Sequence, residues 1–575
     1  MSKLLEWAER QPERPALIDF YRGRDRVVTF GGVASRMAAG SRTLDKLGLR
    51  RGQTILVMQP VSIELYELLL AAFYSGIRVM LADPSAGGAF LADCCRRLRP
   101  DAYFGTWKAQ CLRLTVAELR NIRVAIRSGG WFPGTRSWRI EAGDFPMAEV
   151  AEDEAALVTF TSGSTGTPKA AVRTHGFLLA QHQALERALD FEAGEVDLIT
   201  LPVFVLANLA SGLTSVLAVP HPAPPATPDA MAIRGQCARF EVTRCTASPA
   251  FFEKLLGVGG GMPAWKTGLQ PVMADSASCP SANATTGWKP VGQDRQDAYA
   301  PAMPAFNKVF TGGAPVFPDL LRRLRVALPE AQVVAVYGST EAEPIAHYAA
   351  VAADAGTEGI TRRGGGLCTG PPVAEIQLRI IADHWGTSLG IISANDLSNI
   401  TLAPGGVGEI IVCGEHVLKG YLGGIGEGET KFAVDGQVWH RTGDAGWLDE
   451  SGRLWLLGRC AEKLPPFPAP PGLPVDALGY PFAIECALRE KFPGMRMAAL
   501  AWQGCRLLVV GRCCAAAEAA AIRAAADGFG IERVVHLEAL PLDKRHHAKI
   551  DYPALRQALA RVMKENGVAR TRDLA

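Results

Sequence analysis

Nine consecutive residues, Thr161-Ser162-Gly163-Ser164-Thr165-Gly166-Thr167-Pro168-Lys169, constrain this chain more than any other feature, because they set glycines, hydroxyls and one cation between two strand-like segments. Ala155-Ala156-Leu157-Val158-Thr159-Phe160 reads as a buried strand entering the run, and Ala170-Ala171-Val172 as a strand leaving it. Glycine lets backbone N–H groups turn toward an anion, the hydroxyls add donors, and the lysine supplies a point charge for a polyphosphate. A Walker loop is excluded, since Pro168 precedes Lys169 and Ala170 follows it where a metal-holding hydroxyl would stand. On local composition alone a flexible surface turn competes with a phosphate loop, and the flanking strands favour the loop.

At 575 residues the chain is too long for one core, so two or more domains are expected. With 48% apolar and 21% charged residues it has the composition of a globular protein. A net charge of +2 gives no reason to expect a nucleic-acid partner, and Arg96-Arg97-Leu98-Arg99 and Arg322-Arg323-Leu324-Arg325 read as solvated helix faces. The 13 cysteines contain no paired Cys-x-x-Cys motif, which argues against zinc and against a disulfide framework. Met1 to Arg10 is a charged amphipathic helix without an apolar signal core, so a cytoplasmic location is expected. Glu67 and Arg78 interrupt the longest apolar region, Leu65 to Val79, which reads as a core helix from Glu64 to Tyr74 and a strand from Arg78 to Leu81 rather than a membrane span.

Strand-like runs such as Thr54 to Met58 and Ala102 to Phe104 alternate with helical patterns, predicting α/β layers. Residues 1–458 are expected to form a large domain and 459–575 a small α+β one, with helices around Arg489 to Phe492, Ala515 to Ala526 and Leu555 to Lys564. The aliphatic-poor stretch 271–300 reads as a surface insertion. Leu464-Pro465-Pro466-Phe467-Pro468-Ala469-Pro470-Pro471-Gly472 is too rich in proline for a regular helix.

The run from Thr161 to Lys169 resembles the phosphate loop of the adenylate-forming superfamily, which includes acyl-CoA synthetases, peptide-synthetase adenylation domains and luciferases. The family's other motifs follow in order. Thr311-Gly312-Gly313-Ala314-Pro315 is similar to its adenine-binding turn, Tyr337-Gly338-Ser339-Thr340-Glu341 to its nucleotide and magnesium motif, and Tyr421 to its Gly-Tyr position. His440-Arg441-Thr442-Gly443-Asp444, Gly446-Trp447, Gly458-Arg459 and finally Lys549 complete the series. The resemblance implies a large multi-subdomain α/β N-terminal domain with a small mobile α+β C-terminal domain hinged near 459–463. It also implies ATP and Mg2+ as cosubstrate and cofactor, and a small carboxylic acid as substrate.

Joining a carboxylate to the α-phosphorus of ATP brings two anions together, so such a site needs a metal, cations and N–H donors. In the family pattern Glu341 is the magnesium ligand and Thr340 touches the α-phosphate; locally the pair also reads as a capped helix start. Gly312, Gly313 and Ala314 lack bulk, so an adenine can lie on that backbone with Tyr337 on its other face. Asp444 and Arg459 match the two ribose contacts, against a plain Asx-turn for the Gly443-Asp444 pair. Lys549 reads locally as part of a basic surface turn, as do His546 and His547. The resemblance makes Lys549 the residue that bridges the acyl carboxylate and the α-phosphate.

Two departures bear on activity. Ala548-Lys549 replaces the usual Gly-Lys, and Cys460-Ala461-Glu462-Lys463 with its proline run replaces the hinge and Gly-rich loop that line the pantetheine tunnel of acyl-CoA ligases. Asp543 to Asp551, Thr340 to Ala346 and the surroundings of Glu485 are instead similar to the olefin β-lactone synthetase branch, whose members close a 2-alkyl-3-hydroxy acid on itself. Activation of a fatty or hydroxy-fatty acid is therefore expected. A long-chain acyl-CoA ligase, with CoA as acceptor, is the alternative, and an idle adenylate-binding scaffold is the alternative of another class. Pro202 to Leu213 suits a lipid tail and plain core packing equally, and it holds no acid to fix an α-amino group.

Overall fold

The computed structural model describes residues 1–83, 86–140, 143–162, 168–218, 230–257, 303–350, 355–512, 514–543 and 549–568. The expected insertion at 271–300, and His546 and His547, lie outside them.

Two large sheets carry most of the described chain. In the first, six parallel strands (Lys308–Gly312, Gln332–Ser339, Arg244–Ala247, Val196–Ile199, Thr214–Leu217 and Pro15–Tyr21) stand between two antiparallel edge strands, Ala342–Ala349 on one side and Arg24–Thr29 on the other. The second runs in the order Arg136–Ser137, Val124–Arg127, Ala102–Gly105, Thr54–Met58, Arg78–Leu81, Ala155–Ser162 and Pro168–Thr174, parallel up to its last, antiparallel pair. Helix Ile63–Tyr74 packs between them, and its Leu68, Leu70, Ala71 and Ala72 share one core with Leu17, Ile55, Val79 and Phe310. The helix is buried nearly all round, which is why its sequence is apolar without a polar face.

A third sheet holds Leu367–Gly370, Leu454–Arg459, Gln437–Leu448, Gly408–Cys413 and Gln377–Ile381, with Lys431–Val434 paired to the long central strand. That strand carries the sequence His440 to Asp444, expected as a turn. The structure makes it a bulge, in which Thr442, Gly443 and Asp444 lie opposite the single residue Ile410. Gly443 sits at φ +72°, and a side chain there would strike the Trp385 ring. Just before the bulge, the Arg441 guanidinium donates to both oxygens of Glu409, at 2.7 and 2.6 Å, and both side chains are buried.

The smaller C-terminal part is a three-stranded sheet, Met497–Trp502, Cys505–Val510 and Arg533–His536. Pro481–Lys491 and Ala516–Asp527 cover one face and Tyr552–Val568 the other. The helix expected around Arg489 thus starts earlier, with Pro481 in its first turn, where a missing N–H costs nothing. The proline-rich run forms no regular helix, as expected, but it is no loose tether. Arg506 donates to the carbonyls of Pro465 and Leu478, its guanidinium lies over the Phe467 ring, and Leu464 is buried.

The arginine clusters also differ from the solvated faces expected of them. Arg322 pairs with Glu358 and with Glu490 of the C-terminal part, and Arg97 donates to the Pro168 carbonyl while covering Phe160. Helix Pro202–Ser211 resolves to core packing: Phe204, Val205 and Leu209 are buried, and Asn208 donates to Asp197 and Ser215. The described cysteines are free thiols, and among the described residues no helix is long and apolar enough to cross a membrane.

Removing one partner of the Arg441–Glu409 pair leaves the other charge buried without compensation. Glu409→Ala is expected to lower stability by about 3–5 kcal/mol, read as a shift of the urea midpoint. A loss below about 1 kcal/mol would mean that the pair behaves like a surface salt bridge.

Candidate active site

The phosphate-loop motif lies on a hairpin. Thr161 pairs with Lys169 and Ser162 with Pro168 across the antiparallel strands, so the turn opens at the carboxyl end of a parallel strand. Gly163, Ser164, Thr165 and Gly166 lie outside the described residues. Lys169 is buried, and its ammonium meets the Glu429 carboxylate at 3.1 Å. Gly426, at φ +90°, lets the chain bearing Glu429 pass over the lysine stem, which a side chain at 426 would strike at 2.6 Å.

Thr340 and Glu341 form the turn between Gln332–Ser339 and Ala342–Ala349, a β-hairpin rather than a helix start. Arg173 holds this turn to the neighbouring sheet, donating 2.8 Å to the Thr340 carbonyl and 3.1 Å to Thr159. The Tyr421 hydroxyl donates to Glu341 Oε1 at 2.9 Å. Before the turn, the Tyr337 hydroxyl donates to Asp444 Oδ2 at 2.7 Å, and Arg459 approaches Asp444 Oδ1 at 3.2 Å. Asp444 and Arg459 are register partners on adjacent strands, so this pairing is built into the third sheet. Thr311 to Ala314 end the strand beside Gln332–Ser339. Gly312 is required there by the Val336 carbonyl, which a Cβ would meet at 2.8 Å, whereas Gly313, at φ +78°, has open space beyond its Cα. The missing bulk at Gly312 thus serves strand packing, and only the Gly313–Pro315 turn is left to face a ligand.

Lys549 sits on the exposed stretch before the last helix, fixed by reciprocal bonds with Asp543: its N–H donates to Asp543 Oδ1 at 3.1 Å, and the Asp543 N–H donates to its carbonyl at 2.9 Å. Its charge acts on Glu343, two residues beyond Glu341. Glu343 stands on the strand that leaves the Thr340 hairpin, so the charge of Lys549, in the C-terminal part, is felt next to that hairpin.

Residues 4–422 match the model of the AMP-binding enzyme family. The chain belongs to that family. It is also 30% identical over 562 residues, 92% of this chain and 90% of the other, to an olefin beta-lactone synthetase of Xanthomonas campestris pv. campestris. A second protein of that name, from Stenotrophomonas maltophilia, is 32% identical over 444 residues, 74% of this chain and 71% of its own. Among solved structures, ATP-bound MatB from Rhodopseudomonas palustris superposes with a TM-score of 0.70 at 18% identity, covering 97% of this chain and 99% of that one. The large N-terminal and smaller C-terminal parts are thus the fold of adenylate-forming enzymes, and the chain is an AMP-forming ligase.

In this AMP-binding enzyme the charges around Glu341 are arranged to keep it ionised. Burial works to raise its carboxyl; His440, Lys431 and the Tyr421 hydroxyl outweigh that and hold it below the ordinary range. His440, buried beside Lys431, is itself pushed down to about 3 and is neutral near pH 7, so Lys431 and Tyr421 do this work at neutrality. Burial also brings Lys431 down to about 7, against the pull of Glu341 and Glu427. Its ammonium donates to the Leu418 carbonyl and lies 5.6 Å from the Tyr421 ring centre. Glu343 is pushed up to about 7 by burial, against Arg173 and Lys549. Lys431, Glu429, Arg173 and the Tyr421 hydroxyl were not among the sequence-derived site residues, because their partners lie far away along the chain.

An ionised carboxylate at Glu341, with Lys169 and Lys431 nearby, fits a magnesium polyphosphate, since Mg2+ takes one or two protein carboxylates and fills its shell from phosphates and water. Asp444→Ala is expected to weaken ATP binding by roughly 1.5–3 kcal/mol for each charged hydrogen bond lost, measured by calorimetry; an unchanged dissociation constant would make Asp444 structural. For Lys431 the folded pKa lies below the unfolded 10.5, so between pH 7 and 10.5 the unfolded chain binds more protons. Its contribution to stability therefore rises with pH through that window and is flat below it. Lys431→Met should remove that slope, read as the difference between urea midpoints at about pH 7 and about pH 9.5.

Proposed function

We propose that this enzyme activates a lipid carboxylic acid as its acyl adenylate and that a 3-hydroxyl on the same acid then closes a β-lactone. The observation that supports the first step is the Asp444 carboxylate held by Tyr337 and Arg459 beside the strand that ends in the Thr340–Glu341 hairpin, with Glu341 held by Tyr421 and the charge of Lys549 acting on Glu343. The second step is supported by the two relatives named olefin beta-lactone synthetase, one of them matched over 92% of this chain.

In the first step a carboxylate oxygen attacks the α-phosphorus of ATP, the bond from that phosphorus to the bridging oxygen of the β-phosphate breaks, and pyrophosphate leaves. In our reading Asp444 and Arg459 hold the ribose, with Tyr337 and the Gly313–Pro315 turn on either side of the adenine. Residues Thr161–Gly166 and Lys169 hold the β- and γ-phosphates, so Glu429 must give up Lys169 when they bind. Gly338 gives the hairpin the room it needs, since a side chain there would press on Glu343. Thr340 faces the α-phosphate, and Glu341 would hold magnesium, whose charge would offset that of the phosphates. Lys549 meets the spreading negative charge of the transition state, which is where a cation gains most.

In the second step the 3-hydroxyl oxygen bonds to the acyl carbon, its proton leaves to solvent, and the acyl–phosphate bond breaks with AMP as leaving group. Holding both groups on one chain makes the attack unimolecular. The small domain, taken as residues 459–575, pivots at 459–463. Because the proline run is bound to the small domain through Arg506, it moves with that domain rather than bending within it.

Lys549→Ala is expected to lower acid-dependent pyrophosphate release by at least two orders of magnitude while leaving ATP binding nearly intact. Equal losses in ATP affinity and rate would contradict the assignment. Free acyl-CoA from simple fatty acids, with no lactone from the hydroxy acid, would replace the lactone reading by acyl-CoA ligation.

A further inference from the structure

Between Thr106 and Ile140 the chain carries seven cations, Lys108, Arg113, Arg120, Arg123, Arg127, Arg136 and Arg139, against one acid, Glu118. That is a local net charge of +6 in a chain whose total is +2. Glu118 is spent outside the stretch, on Arg96 at 2.6 Å. Among the described residues none of the seven cations forms an ion pair. Arg120 donates instead to the carbonyls of Arg113 and Leu114, Arg127 to that of Gly130, and Arg123 to that of Gly48. Such bonds fix a guanidinium without neutralising its charge.

The same stretch exposes large apolar side chains. Trp131 is 74% exposed, Leu114 65% and Trp107 48%. The two tryptophans are neighbours, since a Cβ on Gly130 would meet the Trp107 ring at 2.9 Å, and Lys108 lies 5.9 Å from that ring's centre. Exposed tryptophans among un-neutralised cations have the chemistry of a headgroup boundary, where the indole body is buried and the cations meet phosphates. An acidic protein partner would meet the charges equally well but leaves two protruding indoles without a pocket.

The position adds a reason for such a surface. Trp107 follows strand Ala102–Gly105 and Trp131 follows Val124–Arg127, and both strands run parallel with Ala155–Ser162, which ends in the phosphate hairpin. The tryptophans and the hairpin therefore stand at one end of one sheet, with three strand spacings, about 14 Å, between Ala102–Gly105 and Ala155–Ser162.

We propose that this end of the sheet docks on an anionic lipid bilayer, with Trp107 and Trp131 inserted at headgroup depth and Lys108, Arg127 and Arg136 against lipid phosphates. The docking stands on the surface alone. What it would serve, uptake of a lipid acid and release of an apolar lactone, rests on the proposed function.

The test is sedimentation of the full chain with vesicles of equal parts phosphatidylglycerol and phosphatidylcholine, compared with phosphatidylcholine alone. Binding is expected on the anionic vesicles only, falling steeply between about 0.05 and 0.5 M salt. Lys108→Glu and Arg136→Glu should each weaken it about fivefold or more. Trp107→Ala with Trp131→Ala should weaken it by about tenfold, with unchanged pyrophosphate release from a water-soluble acid assayed without vesicles. No binding, equal binding to neutral vesicles, or unchanged binding in all three variants would overturn the proposal and leave an acidic protein as the occupant. Loss of activity on the soluble acid in the unsubstituted protein would instead count against the proposed function.

Discussion

The bond from the Tyr337 hydroxyl to Asp444 is the contact on which the site depends. Tyr337 ends a strand of the eight-stranded sheet, and Asp444 sits on the bulge of the third sheet with Arg459 as its register partner. One 2.7 Å bond thus joins two separately built sheets at the place where the proposed nucleotide would lie. Burial and the neighbouring carboxylate push the phenol far above its usual pKa, so it remains a donor at any working pH. The bulge in turn is held by the buried Arg441–Glu409 pair and by Thr442, whose hydroxyl donates to Ile410 and accepts from the Asp444 N–H.

Around the phosphate hairpin the charges are balanced within the protein. Lys169 is satisfied by Glu429, and the Tyr421 N–H donates to Glu427 at 2.7 Å while its hydroxyl holds Glu341. One acid of the short segment Glu427–Thr430, Glu429, thus faces the lysine that the proposed reading gives to phosphate, while Glu427 holds the backbone of the tyrosine bonded to Glu341. Nucleotide binding in that reading is an exchange of carboxylate for phosphate, a smaller change in free energy than desolvating a bare lysine.

Much of this was legible in the sequence because it is local. The two strands flanking Thr161 to Lys169, helix Ile63–Tyr74 and strand Arg78–Leu81 follow from runs of apolar residues and their punctuation. What pairing decides was not legible. A bulge at Thr442 to Asp444 exists only relative to the strand containing Ile410, and Thr340–Glu341 reads equally as a cap or a hairpin turn until Ala342–Ala349 folds back. Helix Pro202–Ser211 is apolar all round, so periodicity could not separate a lipid pocket from a core. The grip of Arg506 on the proline run joins residues 41 apart, which no spacing rule marks.

The central claim is that a carboxylate oxygen of the substrate becomes bonded to the α-phosphorus before the acid closes on itself. A 2-alkyl-3-hydroxy acid carrying oxygen-18 in both carboxylate positions tests this directly when the AMP and the lipid product are analysed by mass spectrometry. The account predicts one labelled oxygen in the AMP phosphate and one in the lactone carbonyl, formed without CoA. AMP free of label, or a lactone that retains both labelled oxygens, would contradict it.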